Sequence, residues 1–268
     1  MHAGIVVLKD IVSLDVYNHF LLLYTAIRLL SCKAFYCEPG IFNYCTELLK
    51  CFVQEAILLY GKQFISFNVH NLIHLPSSVE HWKEFGPLYS NTAYPFENHL
   101  QLIKALVVSK ANMLQQAVKR MAEVDQNLRE RQSYDEPRIL FSKQYYNGPT
   151  VGPVLGNHFK KLKIGAIRLT ISRPDNCVFL NNSQVFFIQN FLETPDKLQY
   201  IIGNYFQTCE NFFATPLRSN KINTVLVSNL DTKLCALHIS DVKWKACLLP
   251  ATFPENGSFV VSPLAIEI

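Results

Sequence analysis

The sequence predicts an α+β protein of two domains, an all-α helical bundle followed by a small antiparallel β-barrel. Three observations carry this expectation. Apolar residues recur every three or four positions up to about residue 129, the spacing of a helix face. From about residue 166 the period becomes two, the spacing of strands. Between them, "YYNGPTVGPVLGN" concentrates Gly and Pro, which break both patterns. The expected boundaries are a helical domain at 1–130, a linker at 131–165 and a β-barrel-like domain at 166–268.

Along the helical half, residues 13–30 place Val16, Phe20, Tyr24 and Ile27 on one face, and Pro39-Gly40 ends that segment. Residues 41–60 repeat the pattern through Phe42, Cys45, Leu48, Leu49, Phe52 and Ala56, with Gly61 where a helix terminus favours a left-handed residue. A third helix is expected over 63–75, stopped by Pro76. Ser77 with Glu80 three positions later then reads as a capping box that opens a fourth, closed by Gly86-Pro87. Further helices are expected from Pro95 and from Asn112, the last burying Leu114, Ala117, Val118 and Met121.

In the β half, "AIRLTIS" alternates Ile167, Leu169 and Ile171 against Arg168, Thr170 and Ser172, and "CVFLNNSQVFFIQ" reads as two strands around Asn181-Asn182-Ser183. Strands are also expected at 199–202, 224–228, 234–239, 244–249 and 258–262. Short strands this close together fit a small barrel better than a parallel sheet.

Composition narrows the function classes. With 268 residues, 49% of them hydrophobic, each half has enough apolar surface for a core. A formal charge of +4 is too small to steer the whole chain to a polyanion, so any such binding needs a local patch. Eight widely spaced cysteines without a CxxC pair argue against a disulfide framework and a self-contained zinc finger, and for buried reduced thiols. The N-terminal run lacks a basic lead and a cleavage site. The apolar stretch 20–30 carries Arg28 and is too short for a bilayer, so an intracellular soluble protein without membrane contact is expected.

Two stretches carry candidate chemistry. His70 and His74 stand four residues apart, a spacing that on a helix lets two imidazoles share a metal ion, although zinc needs two more ligands. Glu97 follows Pro95 in the first turn of its helix. There a carboxylate is favoured by the exposed backbone N–H groups, and it is also an oxygen donor that a hard cation would take. The densest basic cluster, "HFKKLKIGAIR", presents His158, Lys160, Lys161, Lys163 and Arg168. It is a candidate contact for a nucleic-acid backbone or a solubilising linker.

The runs "AGIVVLKDIVSLDVYNHFLLLYTAIRLLSC" and "VHNLIHLPSSVEHWKEFGPLYSNTAYPFENHLQLIKALV" resemble the C-terminal part of CACTA-like DDE transposases. The block "HNLIHLP…FGPL…YPFEN" is the most specific part of that resemblance. It implies a transposon-derived protein in which Glu97 is the third catalytic acid, a ligand for Mg²⁺ or Mn²⁺, and His70 with His74 half of a Cys2His2 zinc site. The two catalytic aspartates and the CxxC pair of the family would lie upstream of this stretch. Asp10 and Asp15 fall in the inserted helices and do not replace them. The resemblance therefore implies a truncated fragment that is catalytically inactive alone, holds neither metal stably, and associates with DNA, with the nucleus as its expected location and the cytoplasm as the alternative. The β half resembles the β-rich region accompanying such transposases and is similar to SH3-like barrels of the Tudor and BAH kind. That similarity implies a second role, a non-catalytic adaptor that binds a protein partner through the barrel, with Tyr200, Tyr205, Phe206, Phe212 and Phe213 as its candidate aromatic surface.

Overall fold

The structure is a computed structural model that describes residues 2–91, 94–109, 111–131, 139–152, 155–165, 167–252 and 257–267. It is α+β, with helices in the N-terminal part and an antiparallel sheet in the C-terminal part. The chain divides into two compact units, Met1–Tyr89 with Arg138–Ile268, and Ser90–Pro137.

In the first unit the short α1 (Gly4–Val7) precedes α2 (Leu14–Ser31), and α4 (Ile41–Tyr60) packs against α2. α2 carries Asp15 in its first turn and Arg28 in its last, the charge order a helix dipole favours. α4 starts after Gly40 (φ 77°) and ends at Gly61 (φ 82°), both in the left-handed range. Its buried stripe, Cys45, Leu48, Leu49, Phe52 and Ala56, follows the sequence expectation closely. The buried His19 of α2 ties the two helices together. Its ring stacks on Phe52 at 4.2 Å, its Nε2 donates to the Phe52 carbonyl at 2.7 Å, and its Nδ1 lies 3.2 Å from the Tyr60 hydroxyl.

The expected helix over 63–75 is instead broken into a 3-10 turn at Lys62–Phe64, α5 (Phe67–Asn71) and a second 3-10 turn at Leu72–His74. Pro76 stands in the first turn of α6 (Leu75–His81) rather than ending a helix, because a proline needs no N–H partner there. Ser77 forms no capping box. Its hydroxyl donates back to the His74 carbonyl at 2.8 Å.

The strands are β1 (Ile139–Tyr145), β2 (Asn157–Ile164), β3 (Ile167–Thr170), β4 (Cys177–Leu180), β5 (Val185–Glu193), β6 (Gln199–Asn211), β7 (Val225–Leu230), β8 (Cys235–His238), β9 (Val242–Pro250) and β10 (Phe259–Glu267). β1 and β2 correct the expected linker at 131–165. Both are strands of the sheet, paired in register from Ile139 opposite Ile164 to Tyr145 opposite His158. The pairings run β5–β4–β9–β10–β7–β6 and return to β5, so six strands form a ring; β1, β2 and β3 extend it at β5, and β8 at β6.

Three apolar clusters organise this unit. One takes side chains from all six ring strands, among them Cys177 and Phe179 of β4, Val185 of β5, Val225 and Val227 of β7, Trp244 and Ala246 of β9, and Phe259 and Val261 of β10, with Phe206 of β6 packed on it. The alternate residues of β4 and β5, Val178, Leu180, Phe186 and Ile188, join Leu162, Leu169, Ile201 and Ile239 in a second cluster on the opposite face. A third, formed by Ile5, Tyr17, Leu21, Tyr24, Leu29 and Leu49, reaches Val260 of β10 with Phe212, Phe213 and Ile222. Strands buried on both faces explain why β4 reads as a continuous apolar run. Each large side chain fully buried here contributes about 1.5–3 kcal/mol.

The second unit holds α7 (Tyr94–Leu106) and α8 (Met113–Arg131). The Gln116 side chain organises the turn between them. Its Oε1 accepts from the Val108 and Ser109 amides, and its Nε2 donates to the Ser109 and Ala111 carbonyls. Of the four α8 residues expected to be buried, Ala117 is, Met121 is half-buried, and Leu114 and Val118 are exposed.

Candidate nucleic-acid interface

The basic cluster of 158–168 divides between the two sides of β2. Lys161 and Lys163, two residues apart, share a face. Their Cα positions are about 6.7 Å apart along the strand. On β3, Arg168 pairs with Lys163 and Thr170 with Lys161, and on β1, Leu140 pairs with Lys163 and Ser142 with Lys161. Lys160 lies elsewhere, its Nζ 5.1 Å from the centre of the Tyr145 ring.

A fourth cation joins this face, Lys143 of β1, which the sequence reading missed. Regular alternation would send Lys143 away from Lys161, but its φ of 57° interrupts the alternation, and its charge acts on Lys161. The Lys161 amine is held below the usual lysine range by desolvation first, then by the charges of Arg168 and Lys143. Lys163, Arg168 and Lys143 are exposed, and Lys161 is half-buried. Asp175 is already engaged in an ion pair, because Lys245 donates to it at 2.5 Å and to the Arg168 carbonyl at 2.8 Å. A like-charge pair such as Lys163 opposite Arg168 destabilises a sheet, so the face gathers charge against local stability.

A polar cluster lies at the other end of β2. The buried Asn190 of β5 donates through Nδ2 to the Pro149 carbonyl at 2.8 Å, with the same atom 2.7 Å from His158 Nδ1, and accepts from the Tyr145 hydroxyl at 3.0 Å. Gly148 sits against these three side chains, where a Cβ would lie 2.5–2.8 Å from their polar atoms. This fastens the 146–152 segment to the sheet and sets His158 apart from the basic face.

His70 and His74 do come together, their rings perpendicular with centroids 5.7 Å apart, although one is in α5 and the other in a 3-10 turn. Both are exposed, and among the described residues no group of three or more His, Cys, Asp or Glu side chains converges. Two imidazoles are half of a structural zinc site, so the described residues do not fit that metal. Glu97 is exposed in the first turn of α7, in the other unit from the histidines. One exposed carboxylate does not fit a Mg²⁺ or Mn²⁺ pair either.

The aromatic residues expected on a binding surface are mostly in the core. Phe212 and Phe213 are buried against α2, Phe206 packs on the inner ring cluster, and Tyr205 lies against Phe186 at 5.1 Å. Tyr200 is half-buried, with its ring edge-on to His238. Among the described residues no helix is long and apolar enough to cross a membrane.

The class of protein defined so far is α+β, with a ring of antiparallel strands bearing a basic three-stranded extension. Residues 144–264, which hold most of that sheet, match the family described as "Domain of unknown function (DUF8592)". No curated protein and no solved structure matches the chain.

Proposed function

We propose that the protein associates with nucleic-acid backbone through the face formed by Lys143, Lys161, Lys163 and Arg168, as a transposon-derived DNA-associating protein without strand-cleaving chemistry of its own. One observation carries this reading: four cations from three adjacent strands converge without an acidic ion-pair partner among the described residues. Such a face neutralises phosphates and releases counterions. The CACTA-like reading of the helical part, with Glu97 and the histidine pair as remnants of a catalytic centre, agrees with that role and with a nuclear location. The ring of six strands, with a core drawn from every one of them, supports a small barrel of the SH3-like kind as the scaffold of the basic extension.

Binding of the whole chain to a random-sequence DNA duplex, followed by fluorescence anisotropy across a salt series, tests the reading. Affinity is expected to fall with a log–log slope of about −3, as for three to four phosphate contacts. The double variant Lys163→Gln, Arg168→Gln is expected to reduce that slope by about 2. A slope unchanged by the variant would reject this face as the interface.

A further inference from the structure

Among the described residues, Arg28 of α2 is the one Lys, Arg, Asp or Glu side chain that is buried, at 5% exposure. It makes no ion pair among them, and its Nε–H has no acceptor. Neither Tyr24 nor Cys32, one turn to either side, supplies a carboxylate. A second orphan stands three residues back on the same side of the helix, the fully buried Thr25, whose hydroxyl has no partner. The neighbouring hydroxyls are already occupied with one another. Tyr24 lies 2.9 Å from Thr224 Oγ1 and 3.4 Å from Ser262 Oγ, Thr224 donates to Ser262 at 3.4 Å, and Ser262 lies 3.2 Å from His2 Nδ1.

A buried cation and a buried hydroxyl, both unsatisfied and one helical turn apart, share one remedy. Water would satisfy Thr25 and leave the charge of Arg28 uncompensated. A carboxylate on another chain does not reach side chains this deeply covered. A free ion with a single negative charge accepts from both donors and cancels the charge, whereas a polyvalent anion would carry excess charge into the core. We propose that this face of α2 is a binding site for a small monovalent anion of the chloride class, with the Arg28 guanidinium as the counter-charge and the Thr25 hydroxyl as the second donor. The bound ion turns Arg28 from a cost into a stabilising group, so the stability of the fold responds to this anion and not merely to ionic strength.

The test exchanges the whole chain into sodium gluconate, whose anion is too large for an enclosed site, and titrates in sodium chloride at constant ionic strength. Urea unfolding is followed at each step. The midpoint is expected to rise and level off, with the folded-to-unfolded ratio about tenfold higher once chloride reaches about ten times its dissociation constant. Arg28→Met is expected to lose the saturable rise. Without chloride that variant is at least as stable as the native chain, so the loss is not a failure to fold. Thr25→Val, which keeps the shape and removes the donor, is expected to move the rise to higher chloride. The double variant Lys163→Gln, Arg168→Gln is expected to keep the rise, which separates this site from the basic face. Broadening of the chloride NMR line by the native chain beyond that by Arg28→Met reads binding directly. A native midpoint indifferent to chloride, or a rise of equal size in Arg28→Met, would overturn the proposal.

Discussion

The Tyr24 hydroxyl lies 2.9 Å from Thr224 Oγ1 and 3.4 Å from Ser262 Oγ, so one buried side chain of α2 joins β10 and the chain before β7. Tyr24→Phe keeps the ring and removes both contacts, leaving the Thr224 and Ser262 hydroxyls to each other at 3.4 Å. It is expected to cost about 1–2 kcal/mol in urea unfolding. One turn on, Arg28 is buried, makes no ion pair among the described residues, and has no acceptor for its Nε. A buried charge without a partner is costly, so Arg28→Met is expected to match or exceed the native stability in the same measurement, while Arg28→Ala falls below it by loss of packing. Half-buried beside Arg28 is His2, its pKa lowered to about 4 by burial first, then by Arg28 and the chain terminus. A folded-state value below the unfolded one means the folded protein favours the neutral ring. The stability linked to His2 is therefore present above about pH 6.5 and is lost as pH falls toward 4. His2→Gln is expected to remove about 1–3 kcal/mol of that acid dependence, read by denaturant midpoints across the interval.

At the scale of elements, the Asn190 cluster decides whether the 146–152 segment stays on the sheet. Asn190→Ala leaves the Pro149 carbonyl and the Tyr145 hydroxyl without this partner and is expected to cost about 2–3 kcal/mol, with faster hydrogen exchange in the loop. Much of the secondary structure was legible where burial dictated residue type, on one face in α4 and β9 and on both faces in the hairpin of β4 and β5. β2 was illegible because it carries lysines on both faces, and its "K-K-L-K" reads as a charged linker until Leu162 is seen buried among them. The helix at 63–75 misled because its periodicity is good while Gly61, Ser66 and Pro76 divide it into short turns. Of the candidate site, Lys161, Lys163 and Arg168 were legible by charge density. Lys143 was not, since its membership depends on one left-handed residue that no pattern announces.

At the scale of the molecule, the helices of Met1–Tyr89 and the sheet form one unit with a shared core, which the expected boundary near residue 130 would cut. Expressed alone, residues 138–268 would leave Val260, Leu226, Phe212 and Phe213 uncovered. That segment is expected to bind ANS and to lack a cooperative thermal transition, whereas the whole chain shows one. Tyr24 and Ser262 are 238 positions apart in sequence. On the ribosome, at ~5–20 residues per second, the N-terminal helices therefore wait roughly ten to fifty seconds before the strand that completes their core is made. Throughout that interval α2 presents Tyr17, Leu21 and Tyr24 to solvent, making the nascent chain a client for holding chaperones and its yield in cells sensitive to translation speed.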